Sequence, residues 1–403
     1  MKKKSILFVN ESLACAGGEK SLLNLLSSLD YDKYDVYLQL QSYGNPWDKL
    51  VDQRVKILPE FGYSIFCKKK FTQSIVCALK KGNLKWVIGR FRYSISIRMK
   101  RCLNNVVKAR LYWATQRNCF DSNPQIYDYA VAYAHGFPTF YVCEKVKAKK
   151  KLAWINVTYL PTKEEDEFIE QRLNKFDKIV AVSEEIQKLE RQHWPHLSDR
   201  IVTFRDIINP KVICDFSKES IGLKKPQCLT LVTLGRLAPQ KGYDITLEAA
   251  SILKSKGLKF KWFVLGKGPL EDSIRAEISK RNLENEFILL GVKENPYPFL
   301  KLADIYVQTS THEGFGLAIA EARILNIPVV TTKFNTVHMQ MVDGKNGLLA
   351  DLNGTDVSEK ILRLATDDNL YNDIVGYLRK EKKGNLEIID SLYSILDELD
   401  SQQ

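Results

Sequence analysis

IYVQTSTHEGFGLAIAEA, residues 305–322, decides how the rest of the chain reads. Ile305 to Ser310 is a short apolar run with β-branched and aromatic residues, the length of one buried strand and too short for a buried helix. Glu313, Gly314 and Gly316 follow as a turn, and the stretch that carries Glu321 continues as a helix. A strand that ends in a glycine turn and passes into a helix is the repeating unit of a parallel sheet covered on both faces.

The same unit recurs on either side. Upstream lie Leu229 to Leu234, Lys261 to Leu265 and Phe287 to Leu290, and downstream lies Ile327 to Thr331. The first half repeats the alternation with strands at Ser5 to Val9, Tyr34 to Leu40, Tyr129 to Ala134, Lys151 to Ile155 and Lys178 to Val182. Helical patterns sit between them at Gly18 to Leu29 and Lys163 to Phe176. Asn209 to Gln227, with Pro210, Gly222 and Pro226, interrupts the rhythm and reads as a linker. The expected organisation is therefore an α/β chain of two Rossmann-like doubly wound domains. Residues 1–208 form the first, 209–227 the linker, 228–375 the second, and 376–403 a closing helical segment. At 403 residues and 45% hydrophobic content there is enough chain for two buried cores.

No apolar run approaches the roughly 20 residues that cross a bilayer. The opening MKKKSILFVN offers only Ile6 to Val9 as an apolar stretch, which suits a first buried strand better than a secretory signal, so a cytoplasmic location is expected. The eight cysteines are scattered singly, and neither they nor the five histidines cluster with metal-like spacing, so no metal site is expected.

The net charge of +12 is local in origin. Phe61 to Phe120 holds fourteen Lys or Arg and no Asp or Glu, whereas the remainder holds 46 basic and 48 acidic residues. Aromatics are interleaved there, among them Phe66, Phe71, Trp86, Phe91, Trp113 and Phe120. Ile88, Phe91, Ile95, Met99, Leu103 and Val106 recur at steps of three or four, with Arg90, Arg92, Arg98, Lys100, Arg101 and Lys108 around them. That spacing predicts one amphipathic helix, suited to an anionic membrane surface. The alternative is a helix that buries the same stripe against its own domain, and nucleic acid ranks last.

In an open parallel sheet, ligands gather outside the carboxyl ends of the strands. Gly235, Arg236, Lys241 and Gly242 follow one strand of the second half, Gly266 and Gly268 another, Gly291 a third, and Glu313, Gly314 and Gly316 a fourth. Glycines let backbone N–H groups approach phosphate oxygens, and Arg236 and Lys241 offset the charge of a departing diphosphate. Glu313 and Glu321, as carboxylates, accept from hydroxyl donors such as a sugar and a ribose. Singly, each of these residues is an ordinary turn glycine or surface charge; their convergence points to a diphosphate site.

Those residues resemble the GT-B glycosyltransferases of family 4, in particular bacterial members that build capsular and other surface polysaccharides. The two glutamates Glu313 and Glu321 are separated by seven residues inside EGFGLAIAEA, before IPVVTT. GRLAPQKGYD, FVLGKGP, LADIYVQTSTHEGFG and DGKNGLL are further family-like blocks, and the likeness spans nearly the whole chain. It implies two domains facing across a cleft, with the C-terminal helices crossing back, and a retaining, metal-independent hexosyltransferase without a cofactor. The implied substrates are a nucleoside diphosphate sugar and a growing, lipid-linked glycan at the inner face of the cytoplasmic membrane. In the roles it implies, Arg236 and Lys241 hold the donor diphosphate. Glu313 and the Phe315, Gly316 and Leu317 backbone meet the transferred sugar and phosphates, and Glu321 meets the ribose. Gly17 and Gly18 resemble the family's glycine loop after the first strand, and His135, at the end of AVAYAHG, resembles a histidine near the transferred sugar.

Three departures stand out. Asn156 replaces a frequent histidine, Met339 a frequent glutamate, and Asp206 and Asn209 are exchanged relative to the usual Asn and Asp. They keep open a catalytically silent partner subunit, beside another GT-B activity on nucleotide sugars.

Overall fold

The computed structural model describes residues 3–14, 17–45, 47–70, 73–74, 76, 78, 82–99, 104–156 and 162–401. They form two compact units, the first from the N-terminus to Ile207 together with Glu387 onward, the second Ile208–Leu386.

The first unit holds a seven-stranded parallel sheet. Its strands are β1 (Lys4–Asn10), β2 (Tyr34–Leu40), β3 (Lys56–Ile57), β4 (Ile126–Ala132), β5 (Lys147–Ile155), β6 (Lys178–Ala181) and β7 (Ile201–Thr203), in the spatial order β3-β2-β1-β4-β5-β6-β7. Ile6, Leu7, Phe8 and Val9 are consecutive and all buried, as a strand covered on both faces requires. The second unit repeats the plan with β8 (Leu229–Leu234), β9 (Phe260–Leu265), β10 (Phe287–Gly291), β11 (Ile305–Gln308), β12 (Val329–Thr332) and β13 (Gly347–Ala350), in the order β10-β9-β8-β11-β12-β13. In both sheets the chain winds outward from the first strand, then returns to pair the fourth strand with it. That reversal leaves a crevice at the carboxyl ends of β1 and β4 in one unit, and of β8 and β11 in the other.

The α/β alternation read from the sequence is present, with strand ends moved by a few residues. Strands β3, β7 and β13 were not anticipated; two to four residues long, they give no periodicity to detect. The expected linker at 209–227 contains the helix Pro210–Phe216. Its first turn is capped by Asn209, whose Oδ1 accepts from the backbone N–H of Lys211 at 3.1 Å, and Ile213 is buried. Pro210 therefore starts a helix, where its missing N–H costs nothing, instead of breaking the chain.

The closing helices also divide differently. Gly354–Thr366 and Asp368–Lys380 pack Val357, Ile361, Leu364, Ile374 and Leu378 into the second unit, and the latter helix runs through the expected boundary at 375/376. Only Ile389–Ser401 belongs to the first unit. It buries Leu392, Ile395, Leu396 and Leu399 there, and Glu398 pairs with Lys178 at 2.7 Å.

The basic segment corrects the expectation of one continuous helix. A helix spans Leu84–Met99, Leu103 lies outside the described residues, and Val106 belongs to a separate helix, Asn105–Gln116, packed against the core. Of the interleaved aromatics, Phe66, Trp86, Trp113 and Phe120 are buried; Trp113 stacks on Phe120 at 6.1 Å, and Phe66 meets Trp86 at a tilt at 5.6 Å. Phe71, Lys100 and Arg101 lie outside the described residues.

Because the last helix completes the first unit's core, Leu396→Ala is expected to cost about 2–5 kcal/mol of stability. A thermal melt of the full chain checks this as a lowered first transition.

Candidate functional site

Three strands of the second unit, β8, β9 and β11, end in one rim. After β8 the chain turns through Gly235 and Arg236 to a short 3-10 turn, Pro239–Lys241. Gly242 follows with φ 61°, and a Cβ added to it would overlap the Thr309 carbonyl oxygen. Only glycine lets the loop after β8 lie this close to the loop after β11. Threonines complete the seam: Thr309 Oγ1 lies 2.9 Å from both the Lys241 and the Gly242 carbonyl oxygens and 2.6 Å from Thr246 Oγ1. After β9, a Cβ at Gly266 would overlap the Gly235 carbonyl oxygen, and Gly268 sits against the Leu237 backbone.

This seam carries Lys241 to Glu313. The Lys241 ammonium forms an ion pair with Glu313 Oε1, and the same oxygen accepts from Ser310 Oγ at 2.7 Å and Gln308 Nε2 at 3.0 Å. Gln308 is itself held by the buried Tyr306, whose hydroxyl donates to Gln308 Oε1 at 2.8 Å. Burial drives the Tyr306 hydroxyl well above its ordinary pKa, so it stays a donor at any physiological pH. Thr336 Oγ1 donates to the Glu313 carbonyl at 2.8 Å and fixes the backbone as well. Glu313 is thus a carboxylate with one oxygen committed to three donors.

Arg236 is exposed and forms no ion pair with a described residue, so its guanidinium is open to solvent beside Gly235. Phe315 and Gly316 lead into the helix Leu317–Ile324, whose first backbone N–H groups lie beside Glu313 in the chain. Glu321 lies one turn into that helix and is buried, with the Tyr297 hydroxyl 3.3 Å from its Oε1. Met339 lines a cavity of about 160 Å³ with Phe315, Ala320, Arg323 and Gln340, where Arg323 is pinned by Glu381 at 2.7 Å. The structure therefore places Gly235, Arg236, Lys241, Gly266, Gly268, Glu313, Phe315, Gly316, Leu317 and Glu321 at the carboxyl ends of β8, β9 and β11.

Gly17, Gly18 and His135 belong to the first unit and occupy the equivalent crevice there. Gly17 starts the helix Gly17–Ser28 after β1, and His135 follows β4, half-buried. A Cβ at Gly18 would stand 3.2 Å from Asn156 Nδ2, which donates to the Tyr133 carbonyl at 2.8 Å. The amide at position 156 is therefore used to tie β5 to the chain beyond β4. Asp206 accepts from Ser21 Oγ, which lies 2.7 Å from the buried Tyr133 hydroxyl, and burial pushes the Asp206 carboxyl up to about 6.

Sequence reading missed Gln308, Ser310, Tyr306 and Tyr297. Their signal was weak: a glutamine and a tyrosine inside an apolar strand look like ordinary strand residues until the partner carboxylate is known. Among the described residues no three His, Cys, Asp or Glu side chains gather as a metal-binding group, and no helix is long and apolar enough to cross a membrane.

Residues 216–381, which contain the whole rim of the second unit, match the family described as glycosyl transferases group 1. Over 211 residues the chain is 29% identical to the poly(ribitol-phosphate) alpha-N-acetylglucosaminyltransferase of Staphylococcus aureus, covering 52% of this chain and 41% of that protein. Over 186 residues it is 27% identical to the UDP-Gal:alpha-D-GlcNAc-diphosphoundecaprenol alpha-1,3-galactosyltransferase of Escherichia coli, covering 45% of this chain and 48% of that one. The chain thus spans about half the length of the curated relatives it matches. The crystal structure of Anabaena HepE in complex with UDP and glucose matches with a TM-score of 0.67 at 16% identity, over 98% of this chain and 100% of that one. The fold is the α/β fold of the GT-B glycosyltransferases.

The Asp206 environment has a pH signature. Its folded-state pKa is raised, so the stability it lends is full below the ordinary carboxyl range and is lost as pH rises through about 6. Asp206→Asn keeps an acceptor for Ser21 and does not titrate. Its melting temperature relative to wild type is expected to rise between pH 5 and pH 8, measured by calorimetry at each pH.

Proposed function

We propose that this chain is a retaining, metal-independent glycosyltransferase that moves a hexosyl unit from a nucleoside diphosphate sugar to a growing, lipid-linked surface glycan. The observation that carries the reading is the Lys241–Glu313 pair at the crevice between β8 and β11, beneath a rim of glycine turns and beside the exposed Arg236. The activities named for the relatives, sugar transfer to poly(ribitol-phosphate) and to a diphosphoundecaprenol-linked sugar, support a surface-glycan acceptor.

In this reading Arg236 and Lys241 take the donor diphosphate, whose negative charge grows as the glycosidic C–O bond breaks and its electron pair leaves with the phosphate. An ammonium has three donors, so Lys241 reaches the phosphate while still paired with Glu313. Glu313 accepts sugar hydroxyls through its second oxygen. With its first oxygen shared by Lys241, Ser310 and Gln308 it is a poor nucleophile, which favours attack by the acceptor hydroxyl without a covalent glycosyl-enzyme, the hydroxyl proton passing to the departing phosphate oxygen. Glu321, held beside Tyr297, takes the ribose hydroxyls.

A panel of nucleotide sugars, screened by melting-temperature shift and then by donor hydrolysis and transfer, tests this. Glu313→Gln and Lys241→Met are each expected to lower kcat/KM by about 10²–10³. EDTA should leave the rate unchanged, and the product should keep the donor's anomeric configuration by NMR. A wild-type chain that binds no nucleotide sugar and neither hydrolyses nor transfers one would instead be a silent partner subunit, the reading to which Asn156 and Met339 lend weight.

A further inference from the structure

One helix of the first unit is built the wrong way round for a protein surface. In Leu84–Met99, Leu84, Ile88, Phe91, Ile95 and Met99 are 57%, 50%, 58%, 39% and 78% exposed. At about 100° per residue these five fall within an arc of about 80°, so they form one continuous stripe. The opposite face is the packed one. Trp86 is buried against Tyr63 and Phe66, Gly89 stands close under the Cys119 sulfur, and Tyr93 meets the Tyr112 ring edge-on at 5.3 Å. The stripe is therefore not waiting for a better fit to its own unit, because the helix already spends its other face on that contact.

The charges bordering the stripe on the helix itself are all basic. Lys85 and Arg92 flank one side and Arg98 the other, and no acidic residue occurs between Phe61 and Phe120. Of the three, Lys85 is paired with the exposed Asp121 at 3.2 Å. Some of the segment's cations are used internally: Arg90 turns in to Ser74 at 2.9 Å, and Arg110 pairs with Glu165 at 2.8 Å. Arg92 and Arg98 form no ion pair with a described residue and are exposed. The helix, about 24 Å long, is shorter than the roughly 30 Å hydrocarbon core and carries four basic residues. It is built to lie along an interface and not to cross it.

We propose that Leu84–Met99 docks the chain on an anionic lipid bilayer, with the Leu84, Ile88, Phe91, Ile95 and Met99 stripe sunk among the acyl chains and Arg92 and Arg98 at the headgroup phosphates. Charge complementarity selects this occupant. A second copy of the chain would set the same unpaired arginines against each other across a two-fold contact. A nucleic acid would need a series of exposed rings to stack successive bases, whereas Phe91 is exposed but Phe66, Trp86, Trp113 and Phe120 are buried. The proposal does not depend on the sugar chemistry, since its readout is lipid binding alone.

Flotation of the full chain with phosphatidylglycerol–phosphatidylcholine vesicles, and with phosphatidylcholine alone, tests it at two salt concentrations. Wild type is expected to float with the anionic vesicles and to release as salt rises. Ile88→Glu/Phe91→Glu should lower the partition coefficient by at least about tenfold. Arg92→Gln/Arg98→Gln should lower it by about fivefold per arginine, on anionic vesicles only. Circular dichroism and melting temperature should match wild type, because the altered side chains are exposed; should the double variant melt early, Met99→Glu in the last turn repeats the test. The proposal is overturned if wild type floats with neither vesicle, or if the stripe variants float like wild type. It is equally overturned if those variants, without affecting flotation, dissociate a dimer in sedimentation or abolish RNA binding.

Discussion

The second unit depends on one close approach, that of Gly242 to the Thr309 carbonyl. Parallel strands β8 and β11 are neighbours in the sheet but far apart in sequence, and nothing in their pairing brings the loops beyond them together. The missing side chain at Gly242, with the hydroxyls of Thr309 and Thr246, closes that gap at the backbone. Once it is closed, Lys241 has little choice but to meet Glu313. The electrostatics of the site thus follow from a steric allowance, since it sets a cation and a carboxylate close enough to offset each other's charge.

Around that pair the polar groups are nested. Tyr306 holds Gln308, Gln308 and Ser310 hold the Glu313 carboxylate, and Thr336 holds its backbone. Each buried donor has an acceptor, so the carboxylate is fixed in direction without the cost of an unsatisfied group. A preorganised acceptor of this kind suits the hydroxyls of a sugar better than it suits bond-making to carbon. The first unit repeats the topology with different furniture. At its own crevice the polar tie runs through Asn156, Ser21, Tyr133 and Asp206, and the last of these is a carboxyl placed where burial opposes its charge.

The basic helix shows the other way a surface is specialised. Ordinary amphipathic helices bury their apolar stripe and expose their charges, whereas Leu84–Met99 buries an aromatic and small-residue face and leaves its aliphatic stripe in the open. A periodic pattern establishes that a stripe exists but not which way it turns, because a buried stripe and a membrane-facing stripe have the same spacing.

The sequence by itself determined the α/β class, the two-domain plan, and the glycine, lysine, arginine and glutamate residues of the second unit's rim. These follow from local rules: the length of apolar runs, the turn residues after strands, and the chemistry of ionised side chains. Tertiary structure alone decided the partners of Glu313, because Gln308, Ser310 and Tyr306 become informative only when β11 is folded against the loop after β8. It also decided that Pro210 begins a helix, that a helix capped by Asn104 begins within the basic segment, and that only the helix Ile389–Ser401 joins the first unit. In each case the outcome rests on long-range packing, and the spacing of residues along the chain carries no record of which distant surface will be there to receive them.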